Sequence, residues 1–191
     1  MKDKKIGLCI TGSFCTHQGV LDWVSEMGQH NAITPILSYS VRDFDTRFFA
    51  RDDFLSKLKK ACQTDKVIDS IVDAEPIGPN KPFDLVVVAP CTGNTAAKLA
   101  CGITDTPVLM AIKAHLRNGL PAVISIATND ALSNNAENIG KLLNTRNIYL
   151  VPMQQDDPIK KQRSIVADLS LLEKTCDAAM RGEQIQPIYF G

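Results

Sequence analysis

Val86-Val87-Val88-Ala89-Pro90-Cys91-Thr92-Gly93-Asn94-Thr95-Ala96-Ala97-Lys98-Leu99-Ala100 is the stretch that decides the fold. An apolar run stops at a proline, a cluster of small polar residues follows, and a helix begins. In an open parallel sheet, ligands bind at such a place, outside the carboxyl end of a strand and against the next helix. The first N–H groups of a helix have no partner within it, and the helix dipole adds partial positive charge. Such an end suits a phosphate.

The same alternation continues in both directions. Residues 6–10 form a short apolar run ending in Thr11-Gly12-Ser13, read as a buried strand and a tight turn. Val20, Leu21, Val24 and Met27 repeat at helical spacing, and residues 33–37 form a second strand with Pro35 tolerable near an edge. Asp52 and Asp53 start a helix with Phe54, Leu55, Leu58 and Cys62 on one face. Residues 75–82 read as a loop, and residues 84–89 as the most apolar, central strand. Asn94 is expected to cap a short helix. Thr106 and Pro107 open the next one, which Asn118-Gly119 ends. A strand over 122–127, a helix over 134–143 and a last strand over 148–151 follow. Ser164 is expected to cap a final helix carrying Ile165, Leu169, Leu172 and Cys176, closed by Gly182. Strands alternating with helices predict a single α/β domain over residues 1–191. Its expected form is a three-layer, doubly wound parallel sheet of flavodoxin-like or Rossmann-like kind.

Composition narrows the function. The chain has 191 residues, 45% of them hydrophobic, enough for one sizeable core. Lys plus Arg is 21 and Asp plus Glu is 21, which argues against general nucleic-acid binding, where affinity comes from clustered cations. The six cysteines include no C-x-x-C pair and no histidine partners at zinc spacing, so no metal is expected and the thiols read as reduced. Residues 1–5 lead into a strand too short for a signal segment, and nothing approaches the roughly 18 apolar residues of a membrane span. A cytoplasmic protein is the expectation, with neither nucleic acid nor membrane as partner.

Three strand-to-helix turns share one character: Thr11-Gly12-Ser13-Phe14, Cys91-Thr92-Gly93-Asn94-Thr95 and Ala127-Thr128-Asn129-Asp130. A fourth, Ser38-Tyr39-Ser40, follows the second strand. Any one of them alone is adequately explained by capping. Several on one sheet edge point to a site built of hydroxyls, amides and backbone N–H groups, with few fixed charges. The glycines do not have G-x-G-x-x-G spacing and no Gly-Lys-Ser/Thr occurs, so the dinucleotide and triphosphate modes lack support. The candidate cofactor residues are Thr11, Gly12, Ser13, Phe14, Ser38, Ser40, Pro90, Thr92, Asn94, Thr95, Ala127, Thr128 and Asn129, with Ser13 and Asn94 foremost. His17, in the first turn of a helix, is a weak catalytic candidate; a partly exposed helix-start histidine is the commoner case. Cys91 beside a helix N-terminus could have a lowered pKa, although packing of a small residue explains it more simply.

These residues carry a family resemblance. Thr11-Gly12-Ser13 resembles the phosphate loop of the flavoprotein family that includes the flavin-containing cysteine decarboxylases. Ala89-Pro90-Cys91-Thr92-Gly93-Asn94-Thr95-Ala96-Ala97-Lys98-Leu99-Ala100-Cys101-Gly102-Ile103-Thr104-Asp105 resembles that family's A-P-x-x-x-N-T-x-A-K-x-A-x-G-I-x-D signature. The order of elements matches over about residues 5–180. Ala127-Thr128-Asn129-Asp130, Asn144-Thr145-Arg146-Asn147-Ile148-Tyr149 and Val151-Pro152-Met153-Gln154-Gln155-Asp156-Asp157-Pro158 resemble a branch that makes a pyridine dicarboxylate for bacterial endospores. The resemblance implies one component of a two-component oxidoreductase, with FMN and a small dicarboxylate substrate. It also implies a homo-oligomer in a mother-cell cytoplasm, and a dehydrogenase-like partner protein that brings NADP or NAD.

Departures from the family pattern are equally informative. The decarboxylases carry a histidine just before the central strand, where this chain has Asp73-Ala74-Glu75-Pro76-Ile77-Gly78. Of their P-A-M-N-x-x-M only the asparagine is kept, as Asn129. A flavin-dependent decarboxylase or flavin prenyltransferase, and a non-catalytic partner protein, are the rival readings. The polar stretch 154–163 holds Lys160, Lys161 and Arg163. It reads as a solvated loop or, if functional, as a dicarboxylate clamp, a lid or a docking surface for the dehydrogenase-like partner.

Overall fold

The computed structural model describes residues 1–190. Among them the strands are β1 (Lys5–Ile10), β2 (Ala32–Leu37), β3 (Leu85–Cys91), β4 (Ala122–Thr128), β5 (Ile148–Leu150), β6 (Met153–Asp157) and β7 (Lys161–Ala167). The helices are α1 (His17–Met27), α2 (Tyr39–Asp43), α3 (Arg51–Cys62), α4 (Ile71–Ala74), α5 (Ile77–Asn80), α6 (Gly93–Ala100), α7 (Pro107–Leu116), α8 (Ala136–Leu143) and α9 (Leu172–Ala179). The strands form one mixed sheet in the order β2-β1-β3-β4-β7-β6, with β5 also paired to β4.

β3 lies between β1 and β4, parallel to both, and all of its residues are buried. A strand covered on both faces has no polar side to show, which is why it reads as an unbroken apolar run. Pro35 sits in β2, at one edge of the sheet, where a missing N–H does least harm. α1 packs against α3, whereas α7 packs on α4, α5 and α6, and α6 on α8. Ile6, Leu8, Ile10, Leu85, Ile124 and Ile126 fill the space between these helices and the sheet. No helix among the described residues is long and apolar enough to cross a membrane.

The chain departs from the sequence expectation at four places. β3 does not stop at Pro90 but runs to Cys91, with a shift of register against β4 between Val88 and Cys91. A bulge is one of the few strand positions that tolerate a residue without an N–H. Thr92, not Asn94, caps α6: its hydroxyl oxygen accepts the N–H of Thr95 at 3.2 Å. The expected loop over 75–82 contains the helical turn α5, whose Ile77 and Gly78 are buried.

The largest difference lies in residues 153–167. The sequence predicts a polar connection there, leading into a helix capped by Ser164. The residues form an antiparallel hairpin instead, with β7 bonded to the end of β4. The sheet is therefore mostly, not wholly, parallel, and β5 is not its last strand. The Asp157 carboxylate accepts the N–H groups of Ile159 and Lys160 at 3.1 and 2.9 Å, which closes the turn. Ser164, Ile165 and Ala167 are buried in β7. α9 starts only at Leu172, after Asp168 caps a short turn by accepting the N–H of Ser170.

The capping assignment is checked by equilibrium urea unfolding. Thr92→Ala should lose about 1 kcal/mol of stability. Asn94→Ala, which removes an exposed side chain and no cap, should lose less than about 0.5 kcal/mol.

Candidate functional site

The parallel strands place the turns after β1, β2, β3 and β4 at one edge of the sheet. The chain leaves β1 toward β2 on one side and returns to β3 on the other, which opens a crevice between the ends of β1 and β3. Thr11 fixes that crevice. Its side chain, 1% exposed, donates to the Pro90 carbonyl at 2.8 Å and accepts the Thr92 N–H at 2.9 Å. One buried hydroxyl thus joins the end of β1 to the turn after β3. Ser13 makes the matching link to β4, donating to the Ala127 carbonyl at 2.6 Å.

A cleft of about 780 Å³ opens above these links. Gly12, Ser13 and Phe14, then Thr92 and Asn94, then Ala127, Thr128 and Asn129 all line it, so three predicted turns do converge. The other predicted residues lie just outside its wall. Thr11 and the Pro90 carbonyl are joined beneath it, and Thr95 is turned inward, hydrogen-bonded to the Thr92 hydroxyl at 3.0 Å. Ser38 and Ser40 bond each other at 3.0 Å behind Gly12 and do not reach the cleft surface.

His17 is not near the cleft in the way a partly exposed helix start would be. It is 1% exposed, its Nε2 is 2.8 Å from the Thr11 carbonyl, and its ring lies 4.7 Å from Phe54 and 5.2 Å from Phe14. Burial pushes its pKa down, and the Thr11 carbonyl only partly offsets this. His17 is a neutral core histidine that buttresses Thr11. Cys91 is buried, and burial pushes its thiol up to about 12, opposite to the lowering a helix end could cause. His115 is also buried, 3.0 Å from the Pro121 carbonyl, and His30 lies at the far edge of the sheet. None of the three histidines lines the cleft.

Asp130 closes the third polar turn but is not among the candidate cofactor residues, yet it packs against the start of α6. Thr128 Oγ1 donates to Asp130 Oδ1 at 2.5 Å, and Asn135 Nδ2 lies 2.9 Å from both carboxylate oxygens. The Thr128 hydrogen bond, followed by that of Asn135, holds the Asp130 pKa below the ordinary aspartate value against the opposing effect of burial. This cluster packs on Gly93, the first residue of α6. A Cβ there would lie 2.5 Å from Thr128 Oγ1 and Asn135 Nδ2, and 2.7 Å from Asp130 Oδ1. The carboxylate therefore answers the positive end of α6.

The stretch 154–163, read from sequence as a solvated loop or as a clamp, lid or docking surface, is part of the hairpin. Of its three cations only Lys161 lines the cleft, and Lys160 and Arg163 do not. Lys161, Asp156, Ser164 and Ile165 line the cleft from β6 and β7, and Ser164 Oγ lies 3.3 Å from Asn129 Oδ1. Arg47 and Phe48 line it from the segment after α2. A second cleft, of about 760 Å³, lies at the amino ends of β1 and β2 around Lys2, Lys5, His30 and Thr34. It is remote from every strand carboxyl end.

Known proteins resemble this chain in sequence and fold. The family model described as Flavoprotein matches residues 1–181. The chain is 43% identical over 189 residues to the B subunit of dipicolinate synthase from Bacillus subtilis (strain 168), covering 98% of this chain and 94% of that protein. A crystal structure of the dipicolinate synthase B subunit from Bacillus halodurans C matches with a TM-score of 0.90 at 42% identity, over 100% of this chain and 97% of that one. Burkholderia xenovorans DmrB, solved in complex with FMN and described as a cubic protein cage, matches with a TM-score of 0.68 at 20% identity, over 92% and 94% of the two chains. At that identity the likeness is one of fold.

Two substitutions test the Asp130 cluster. Gly93→Ala should destabilise the fold by about 1–3 kcal/mol, because side chains held by hydrogen bonds must move. Asp130→Asn should cost about 1–2 kcal/mol at neutral pH. The folded-state pKa of Asp130 lies below its unfolded value, so its contribution is complete above the ordinary aspartate range and is lost as pH falls through the folded value. Thermal melts of wild type and Asp130→Asn should therefore converge on acidification.

Proposed function

The chain belongs to the Flavoprotein family, and from that premise we propose that it is the flavin-binding component of a dipicolinate synthase. In this reading it acts with the synthase's dehydrogenase-like A subunit to oxidise dihydrodipicolinate to dipicolinate during endospore formation. The observation that carries the reading is the cleft at the carboxyl ends of β1, β3 and β4, walled by the residues of the three polar turns.

The donor set fits FMN. The cleft volume, about 780 Å³, lies in the range of small-molecule sites. Asn94 presents an exposed amide to it. In the first turn, the N–H groups of Phe14 and Thr16 bond within the turn, to the carbonyls of Gly12 and Ser13. The N–H groups of Ser13 and Cys15 have no such partner among the described residues, and they are assigned to the phosphate. Asp130 already answers the positive end of α6, which favours the first turn for this role. Asn94 and Asn129 are assigned to the polar edges of the flavin ring, while Phe48, Ile165 and Val166 exclude water. Bound FMN would supply an acceptor for the hydride that leaves the dihydropyridine ring, with the electrons passing on to NADP or NAD through the dehydrogenase-like partner.

The decarboxylase alternative has less support. A histidine-dependent step would need an imidazole in the cleft, and His17, His30 and His115 lie elsewhere. A homo-oligomer in the mother-cell cytoplasm of a spore-forming bacterium is part of the same proposal.

The test is the absorption spectrum of the purified chain titrated with FMN, paired with dipicolinate formation in the presence of the dehydrogenase-like partner. Wild type should take up FMN in a saturable way, and Asn94→Ala should weaken that uptake about tenfold, the loss of one or two hydrogen bonds. Failure of wild type to bind FMN, together with unchanged dipicolinate output from Asn94→Ala, would sink the reading.

A further inference from the structure

Two cations line the cleft, and holding a flavin by hydrogen bonds does not account for either. Lys161 begins β7, and Arg47 lies between α2 and α3. They therefore reach the cleft from opposite flanks of the sheet, one beside β4 and β6 and one from the β2 side. Both keep hydrogen-bonding capacity. The Arg47 guanidinium lies 4.8 Å from the centroid of the Phe48 ring, and among the described residues it has no carboxylate partner. Lys161 Nζ donates to Asp156 Oδ2 at 2.5 Å, with the two side chains 54% and 34% exposed. An ammonium has three N–H donors, so two remain. The other carboxylate in the cleft, Asp130, is held by Thr128 and Asn135 and competes for neither cation. The cleft thus offers two separated cationic donors with an aromatic face beside one of them. That is the complement of a flat molecule carrying a carboxylate at each end.

We propose that Lys161 and Arg47 are the specificity-determining residues of this site, each taking one of the two carboxylates that the dihydropyridine substrate and its aromatic product share. The proposal rests on the functional reading above for the identity of the substrate, and it assigns the hairpin a role in substrate choice. Lys161 sits where β6 turns into β7, so selection depends on the pairing of β7 with β4. The second carboxylate separates the substrate from monocarboxylates, because a site built to pair a charge discriminates against ligands that leave it unpaired.

The experiment is calorimetric titration of the full chain with pyridine-2,6-dicarboxylate and with pyridine-2-carboxylate, with and without added FMN. Wild type should prefer the dicarboxylate by about tenfold or more, the worth of one charge-assisted hydrogen bond. Lys161→Gln and Arg47→Gln should each weaken the dicarboxylate about tenfold, shrink the preference and leave FMN affinity within about twofold. Asp156→Asn, which keeps Lys161 and removes its internal partner, should hold or tighten dicarboxylate binding; loss there would mean that the hairpin's shape, not the lysine's charge, is responsible, and would overturn the proposal. It is equally overturned if wild type shows no preference, if the glutamine variants weaken both ligands alike, or if they weaken FMN instead. Dicarboxylate selection that depends on Lys161 and Arg47 in a chain that binds no FMN would uphold this proposal and reject the flavin reading.

Discussion

The buried hydroxyl of Thr11 is the contact on which the site depends. It bonds the carbonyl before and the N–H after Cys91, so it fixes where β3 ends relative to β1. A polar group with 1% exposure must satisfy its hydrogen bonds inside the protein, and its partners here are the end of β3 and the first residue of the turn after it, beneath the cleft. The Thr11 carbonyl in turn holds His17, whose ring is packed by Phe14 and Phe54. The aromatic cluster behind the cleft and the polar turns in front of it are therefore one connected piece.

The electrostatics follow from that frame. α6 starts at the cleft and brings a positive helix end with it, but the chain places Asp130 against Gly93. The absence of a side chain at Gly93 is what lets Thr128, Asp130 and Asn135 approach the helix start together. Charge that a ligand could have supplied is supplied from within. The donors left facing the cleft are then backbone and amide groups along the turns, with Arg47 and Lys161 at the flanks.

Much of this is legible in the sequence, and the misses share a cause. The apolar run of β3, the Thr106-Pro107 start of α7 and the Asn118-Gly119 stop, where Gly119 has φ +73°, are local signals that fall at the right places. Ser13, Asn94 and Asn129 do meet at one cleft because parallel strands bring their carboxyl ends to one edge. Thr92 takes the cap expected of Asn94, since the bulged end of β3 extends to Cys91 and moves the helix start two residues earlier. His17 reads as exposed because a helix start usually is; besides the local Phe14, the rings that bury it, Phe49 and Phe54, come from α3 and the segment before it, far along the chain.

The sequence by itself determined the alternation of strands and helices, the central place of β3 and the polar character of the turns. Each of these follows from local periodicity, burial demand or capping chemistry. Only the tertiary structure decided that residues 153–167 form a hairpin on β4. Ile165 and Leu169 stand at a helical interval, whereas the pairing of Thr128 with Ile165 and of Ala127 with Val166 is invisible until both strands are in place. The same holds for the places of Arg47 and Asp130 in the cleft wall, and for which of the cations in 154–163 reaches it. Their positions depend on the groups opposite them, and distance in space is not written in distance along the chain.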